Sequence, residues 1–421
     1  MIFWKLLYNV IIIPILWIVF HTGKFFNSKI QRGINGRKNL FQELENVLAS
    51  FPKTQRIWFH ASSLGEFEQA KPIIEKIKSH YPSVKIIATF FSPSGYENSK
   101  HYKFADVVMY IPFDSFWKVK KFINLLQPSL AIFIRYDIWP NIIWRLYKTN
   151  IPIILVNATM KQRTSRKVFA VRQFHTSLYN CFHSIFTITE NDTKSFQDFR
   201  IKKPTIQFLG DTRFDRVIEK RTEAKTKHLF PNHIIKEKKI VVLGQTWEQD
   251  EEHIIPAILT LHQENSELLT IIVPHEPTLK NLEDLEYRLE KKISFIRFSD
   301  LNDYSNEKII IVDSVGILTL LYNYATIAYI GGGFQQGVHN VLEPAVFGIP
   351  VLYGPKHTNS QEAIALAKIG GGFVINNKNE FYNTVSSLLH NSQNVGMIAK
   401  NFVEQQSGAT ERFITMIKRL L

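Results

Sequence analysis

Two clusters of residues in this chain have the types and spacing to bind an anion and to move a proton. In the later one, Gly331-Gly332-Gly333-Phe334 is followed by His339-Asn340-Val341-Leu342-Glu343-Pro344 and then Gly348-Ile349-Pro350-Val351. Glycines lack the Cβ that would keep backbone N–H groups away from a phosphate, which makes Gly332 and Gly333, with His339 beside them, candidate donor contacts. Asn340 can cap the segment that follows and Pro344 suits a first helical turn, so that the positive end of a short helix would favour the same anion. Glu343, just beyond, is placed to accept hydrogen bonds from a ribose diol; the plain alternative is a first-turn glutamate that only complements the helix dipole.

The earlier cluster is His60-Ala61-Ser62-Ser63-Leu64-Gly65-Glu66. Glu66 falls where a strand ends and a helix begins, the place an open α/β sheet offers to ligands. The helix N-terminus favours its charged form, which predicts a carboxylate ionised at pH 7 and able to serve as general base toward a hydroxyl. A base of low pKa works when the proton leaves late, as the carbon under attack develops positive charge. A capping glutamate is the alternative. Ser62 or Ser63 is the natural helix cap, and both, with Gly65, are candidate acceptor contacts. So are Arg163 and Arg166, in a basic amphipathic stretch that also carries Lys161, Lys167 and Arg172 between Val168, Phe169, Val171 and Phe174. That stretch suits lipid headgroups or substrate phosphates, or is a solvated basic face.

The elements that must hold these residues alternate. Strands are expected over 56–61, 84–90, 105–110, 130–134, 153–156 and 185–189, with helices from Glu66 to His80, over 116–126 and over 139–147, which makes residues 50–212 a doubly wound domain. Gly210-Asp211-Thr212-Arg213-Phe214-Asp215 marks the crossing to a second α/β domain over 213–397, with strands at 240–243, 269–273, 308–312, 326–330, 351–353 and 373–375. A last helix, 398–421, is expected to pack back toward the first domain. His339 and His357 are too isolated to argue a zinc site, and no metal-ligand spacing is present.

At 421 residues the chain is long enough for two cores, and its single cysteine, Cys181, excludes a disulfide framework and reads as buried and inert. A formal charge of +14 calls for an acidic partner: nucleic acid, an anionic membrane surface or a phosphorylated substrate. Residues 1–22 read as a membrane anchor, since 6–20 is nearly uncharged and strongly apolar; the stretch from Met1 to His21 has the length of a span, and an interfacial anchor is the alternative. The bulky residues after His21 do not resemble a signal-peptide cleavage site. Residues 23–49 form a basic juxtamembrane segment in which Lys24, Lys29, Arg32, Arg37 and Lys38 outweigh the lone Lys5 in front, which predicts a cytoplasmic body beside anionic lipid. No nucleic-acid module appears.

Taken together, the motif around Glu66, the glycine-rich His-Asn-x-Leu-Glu-Pro segment and two doubly wound halves behind an apolar anchor resemble the Kdo transferases (3-deoxy-D-manno-octulosonic acid transferases) of lipopolysaccharide synthesis, from the anchor nearly to the end. The resemblance implies an inner-membrane GT-B glycosyltransferase, two Rossmann-like domains facing a central cleft, that moves Kdo from CMP-Kdo to lipid A precursor (lipid IVA) with inversion, without a metal or other cofactor. It implies Glu66 as proton acceptor and CMP contacts at Pro274 and His275, at Val315, Gly316 and Ile317, and at Asn340, Val341, Leu342 and Glu343. The chain departs from the common pattern at three places: His275 replaces arginine, Ile317 replaces glutamate, and Gln245-Thr246-Trp247 replaces Ser-Thr-His. A GT-B enzyme using a UDP-sugar and a non-catalytic anionic-lipid-binding protein are the rival readings.

Overall fold

The computed structural model describes residues 2–51, 54–160 and 164–421. Two compact units emerge: Met1–Arg216 together with Ser407–Leu421, and Val217–Gln406.

The first unit is built on seven strands: β1 (Arg56–Ala61), β2 (Lys85–Phe90), β3 (Val107–Tyr110), β4 (Leu130–Ile134), β5 (Ile153–Ala158), β6 (Ser184–Thr187) and β7 (Thr205–Phe208). All pair in parallel, in the order β3-β2-β1-β4-β5-β6-β7. Strands covered by helices on both faces are apolar throughout, and β4 (Leu-Ala-Ile-Phe-Ile) is buried at every residue. Chain order reverses between β1 and β4, and their carboxyl ends form the switch point where such sheets bind ligands. Cys181 is buried, and burial pushes its thiol up to about 11, which leaves it unreactive.

The second unit repeats the plan with β8 (Lys239–Thr246), β9 (Leu268–Pro274), β10 (Phe295–Arg297), β11 (Ile309–Ile311), β12 (Ile327–Ile330), β13 (Val351–Tyr353) and β14 (Gly372–Val374). Their order is β10-β11-β9-β8-β12-β13-β14, again all parallel, with the switch point between β8 and β12. Two features differ from the sequence reading. The segment after Gly210 is a helix, Thr212–Ala224, so the boundary between units falls inside a helix. The last expected helix is broken: Lys378–Gln406, itself interrupted by non-helical backbone at Asn391, is followed by Ala409–Ile417, the two separated at Gly408, whose φ of +90° a side chain would resist. Asp215 accepts from the N–H groups of Gly408 and Thr410 at 2.5 and 2.7 Å, and Phe413 of the last helix enters the core formed by Ile57, Ile73 and Ile74.

His262, on the helix Glu248–Glu264, is buried with Nε2 3.0 Å from the Thr270 hydroxyl of β9. Burial, helped by Lys308, lowers its pKa to about 4. The folded chain keeps this ring neutral while the unfolded chain protonates it near 6.5, so the stability is complete above that pH and is lost as pH falls toward 4. Acidification from pH 7 to 5 should cost about 2 kcal/mol through this group. The shift in urea midpoint between the two pH values should shrink in His262→Gln.

Candidate functional site

The helix Leu64–His80 starts three residues beyond β1, and its first turn carries Glu66 to the β1/β4 switch point. The Glu66 carboxylate is buried and accepts the Ser62 N–H at 2.6 Å. The expectation of a low pKa is corrected here: burial raises it above the ordinary carboxylate value, Asp137 adds to the rise, and the Ser62 N–H, His60 and Arg135 oppose it. A helix terminus acts only locally, whereas desolvation acts on the whole carboxylate. The upward shift brings the group closer to the pH at which a general base is most effective.

Opposite Glu66, the chain leaving β4 supplies Arg135 and Asp137. Arg135 has φ of +65°, the left-handed region that non-glycine residues seldom occupy, and its buried Nε meets no acceptor among the described residues. Asp137 Oδ2 lies 2.8 Å from His60 Nε2 and accepts from Trp139 Nε1 at 3.2 Å. Burial pushes the Asp137 carboxyl up, but the His60 contact and its other donors hold it below the usual range. Among the candidate acceptor contacts, Ser62 and Ser63 form the turn into the helix, with the Ser63 carbonyl accepting the Phe67 N–H at 3.1 Å. A Cβ on Gly65 would meet only open space. Arg166 reaches the Tyr179 hydroxyl at 3.5 Å. Arg163, with Lys161, lies outside the described residues, as do the side chains of Lys167 and Phe169.

In the second unit the ends of β11, β9, β8 and β12 lie side by side and present the remaining candidates. Pro274 closes β9, and the His275 ring behind it stacks on both Trp247, with centroids 4.3 Å apart, and His339, with centroids 4.6 Å apart. Trp247 Nε1 donates to His339 Nε2 at 3.1 Å. Burial lowers the pKa of both histidines, and at His339 the neighbouring His275 adds to the fall. Val315 is 80% exposed and Gly316 has φ of +86°; Ile317 leads into the short helix Leu318–Leu321. Thr319 of that helix donates to Glu343 at 3.0 Å, and Lys220 holds the other carboxylate oxygen at 2.9 Å. Asn340 accepts the Leu342 N–H at 3.1 Å, ahead of the single turn Leu342–Val346. Val341 and Leu342 are buried.

The glycine turn is organised differently from expectation. The Gly332 N–H, expected to face a phosphate, donates to Asp250 at 2.8 Å. The glycines are required by backbone crowding: a Cβ on Gly331 would lie 2.1 Å from the Gln245 carbonyl, and one on Gly333 would lie 2.4 Å from the Gly354 nitrogen. Asp250, fully buried, also accepts from Trp247 N at 3.0 Å and Tyr329 Oη at 2.8 Å, which ties the ends of β8 and β12 together.

Arg135, Asp137, Asp250, Lys220 and Thr319 were not singled out from the sequence. Arg135 and Asp137 had a usable signal, polar residues directly after an apolar strand, at a strand end where ligands bind. Asp250, three residues after Trp247 at a helix start, had the spacing of a carboxylate that reaches back to the N-cap N–H. Lys220 and Thr319 had none, because their pairing with Glu343 is purely tertiary.

Two doubly wound units with polar constellations at their switch points define a GT-B-type α/β fold. UDP-GlcNAc 2-epimerase from Neisseria meningitidis, solved bound to UDP-GlcNAc, superposes with a TM-score of 0.62 at 15% identity, over 87% of this chain and all of that one. At the sequence level, a family model described as 3-deoxy-D-manno-octulosonic-acid transferase matches residues 36–216. The 3-deoxy-D-manno-octulosonic acid transferase of Aquifex aeolicus is 31% identical over 337 residues, 79% of this chain and 86% of the relative. That of Haemophilus influenzae is 28% identical over 389 residues, 89% of each. The chain belongs to the Kdo transferase family, glycosyltransferases that transfer Kdo in lipopolysaccharide synthesis.

Proposed function

We propose that the donor is CMP-Kdo, the acceptor a hydroxyl of a lipid A precursor, and the reaction a metal-independent displacement with inversion. The acceptor oxygen attacks the anomeric carbon of Kdo, the bond to the phosphate oxygen breaks, and CMP leaves with the electron pair. Glu66 takes the hydroxyl proton. The observation that carries this reading is Glu66 itself: a carboxylate at the β1/β4 switch point with its pKa raised by burial, next to open space at Gly65, in a chain of this family. On the donor side, Glu343 is held by Lys220 and Thr319 in position to receive the ribose, with Asn340, Val341, Leu342, Val315, Gly316 and Ile317 around the cytidine. Phosphate binding is assigned to backbone N–H groups and to the ring N–H donors of His275 and His339, whose pKa burial lowers.

The apolar helix Ile2–Gly23 supports a place at the inner membrane, with Lys24, Lys29, Arg32 and Lys38 beside it suited to the anionic lipid of the cytoplasmic leaflet. Calorimetric titration should show CMP binding at least tenfold tighter than UDP, and transfer should be unchanged by EDTA. Preference for UDP would favour a different sugar donor, and loss of transfer in EDTA would reject the metal-free mechanism.

A further inference from the structure

The helix Ile2–Gly23 is 22 residues long, about 33 Å, and it is fastened to the first unit from end to end. At its start Trp4 packs on Phe174 and Tyr8 on Trp144, with ring centroids 5.6 and 5.8 Å apart. At its end Phe20 packs on Phe91 and Phe113 at 5.7 and 5.5 Å. Between them Tyr8 donates its hydroxyl to the fully buried Asp114 at 2.9 Å, and Asn9 and Asn141 exchange two side-chain hydrogen bonds of 2.9 Å.

A π turn, Tyr8–Ile12, explains how one helix keeps one face on the body throughout. The docked side chains step from Trp4 to Tyr8, then by five residues to Ile13, and on to Leu16 and Phe20. The extra residue in that turn moves Ile12, Ile15 and Val19 outward, where they join Phe3, Leu6, Val10 and Ile18 on an exposed apolar face. Phe116, Trp117, Phe25 and Phe26, outside the helix, are exposed as well.

Resting on the membrane association proposed above, we infer that this helix does not cross the bilayer. It lies in the plane of one leaflet, docked on the first unit, and the exposed face meets the acyl chains of anionic phospholipids. A helix that spanned the bilayer would carry Tyr8 and Asn9 into hydrocarbon and strip Asp114 and Asn141 of these partners. The seams point to lipid as the occupant. Along one flank a cavity of about 300 Å³ is lined only by apolar side chains and Tyr8, among them Trp4, Ile12, Val171 and Phe174. Those on the other flank and at the helix end combine apolar walls with cations, Lys5, Arg145 and Lys148 in one, Lys118 in the next, and Lys29 in the last, where Arg32 pairs with Glu97 at 3.1 Å and Arg37 donates to the backbone carbonyls of Gly33, Phe91 and Ile111. Apolar clefts with basic mouths match acyl chains below phosphate headgroups.

The test is disulfide trapping in full-length protein on vesicles of phosphatidylethanolamine and phosphatidylglycerol, in a Cys181→Ser background. Asn9→Cys with Asn141→Cys should form an intramolecular disulfide in most molecules of the carbonate-resistant membrane fraction, and Val10→Cys with Asn141→Cys should form at least fivefold less. Trp4→Cys with Phe174→Cys gives a second pair should the first disturb folding. Membrane-bound protein in which neither pair cross-links would overturn the in-plane arrangement and leave membrane association standing. Protein that stays in the soluble fraction would overturn both.

Discussion

Glu66→Gln should lower the rate of transfer by about 10²- to 10⁴-fold, the range expected for removing a general base, and leave CMP affinity unchanged. Glutamine keeps the shape and can still accept the Ser62 N–H that the carboxylate holds at 2.6 Å, so the turn into the helix survives. What disappears is the capacity to take a proton. The rate in the unaltered enzyme should rise with pH through a midpoint above the ordinary glutamate value, because burial raises the Glu66 pKa, and that limb should vanish in the glutamine variant. Single-turnover transfer with saturating donor checks both. A folded Glu66→Gln protein that transfers close to the wild-type rate would remove Glu66 from the mechanism.

Asp250→Asn should destabilise the second unit by about 3 kcal/mol and weaken CMP binding at least tenfold. The carboxylate offers two oxygens to four donors: the N–H groups of Gly332, Trp247 and Phe334 and the Tyr329 hydroxyl. An amide turns one of those oxygens into a donor facing donors, in a site with no exposure to water that could compensate. The glycine turn and Trp247 would lose their common anchor, and with it the stack of Trp247, His275 and His339. Tyr329→Phe removes a single donor and should cost only about 1 kcal/mol. Urea unfolding and CMP titration of the two variants measure the contrast; equal, small effects would show that Asp250 does not organise the turn.

Much of the fold is written in local pattern, and what is not has a physical reason. Strands β1, β4, β5, β8 and β9 are buried on both faces, so their apolar runs stand out without any knowledge of their neighbours. The two strands that pattern reading did not pick out, β7 and β10, are the edges of their sheets: Thr205–Phe208 is largely exposed and Phe295–Arg297 is half-buried, and neither has a continuous apolar signal. Glu66 was legible because a strand, two serines and a helix start fix its place; its raised pKa was not, because desolvation comes from residues distant in sequence. The glycines of 331–333 were legible as a turn, but local chemistry suggests a phosphate for the Gly332 N–H where tertiary structure supplies Asp250. Likewise the apolar run at the N-terminus declares itself in composition, whereas the Tyr8–Asp114 and Asn9–Asn141 contacts lie more than a hundred residues apart in the chain.

The most direct test of the central claim is mass spectrometry of a lipid A precursor incubated with CMP-Kdo and the full-length protein. The precursor should gain the mass of one or more Kdo residues, CMP should be released in equal number, and Glu66→Gln should form product at least a hundredfold more slowly. An acceptor of unchanged mass after incubation with folded, CMP-binding wild-type protein would contradict that claim.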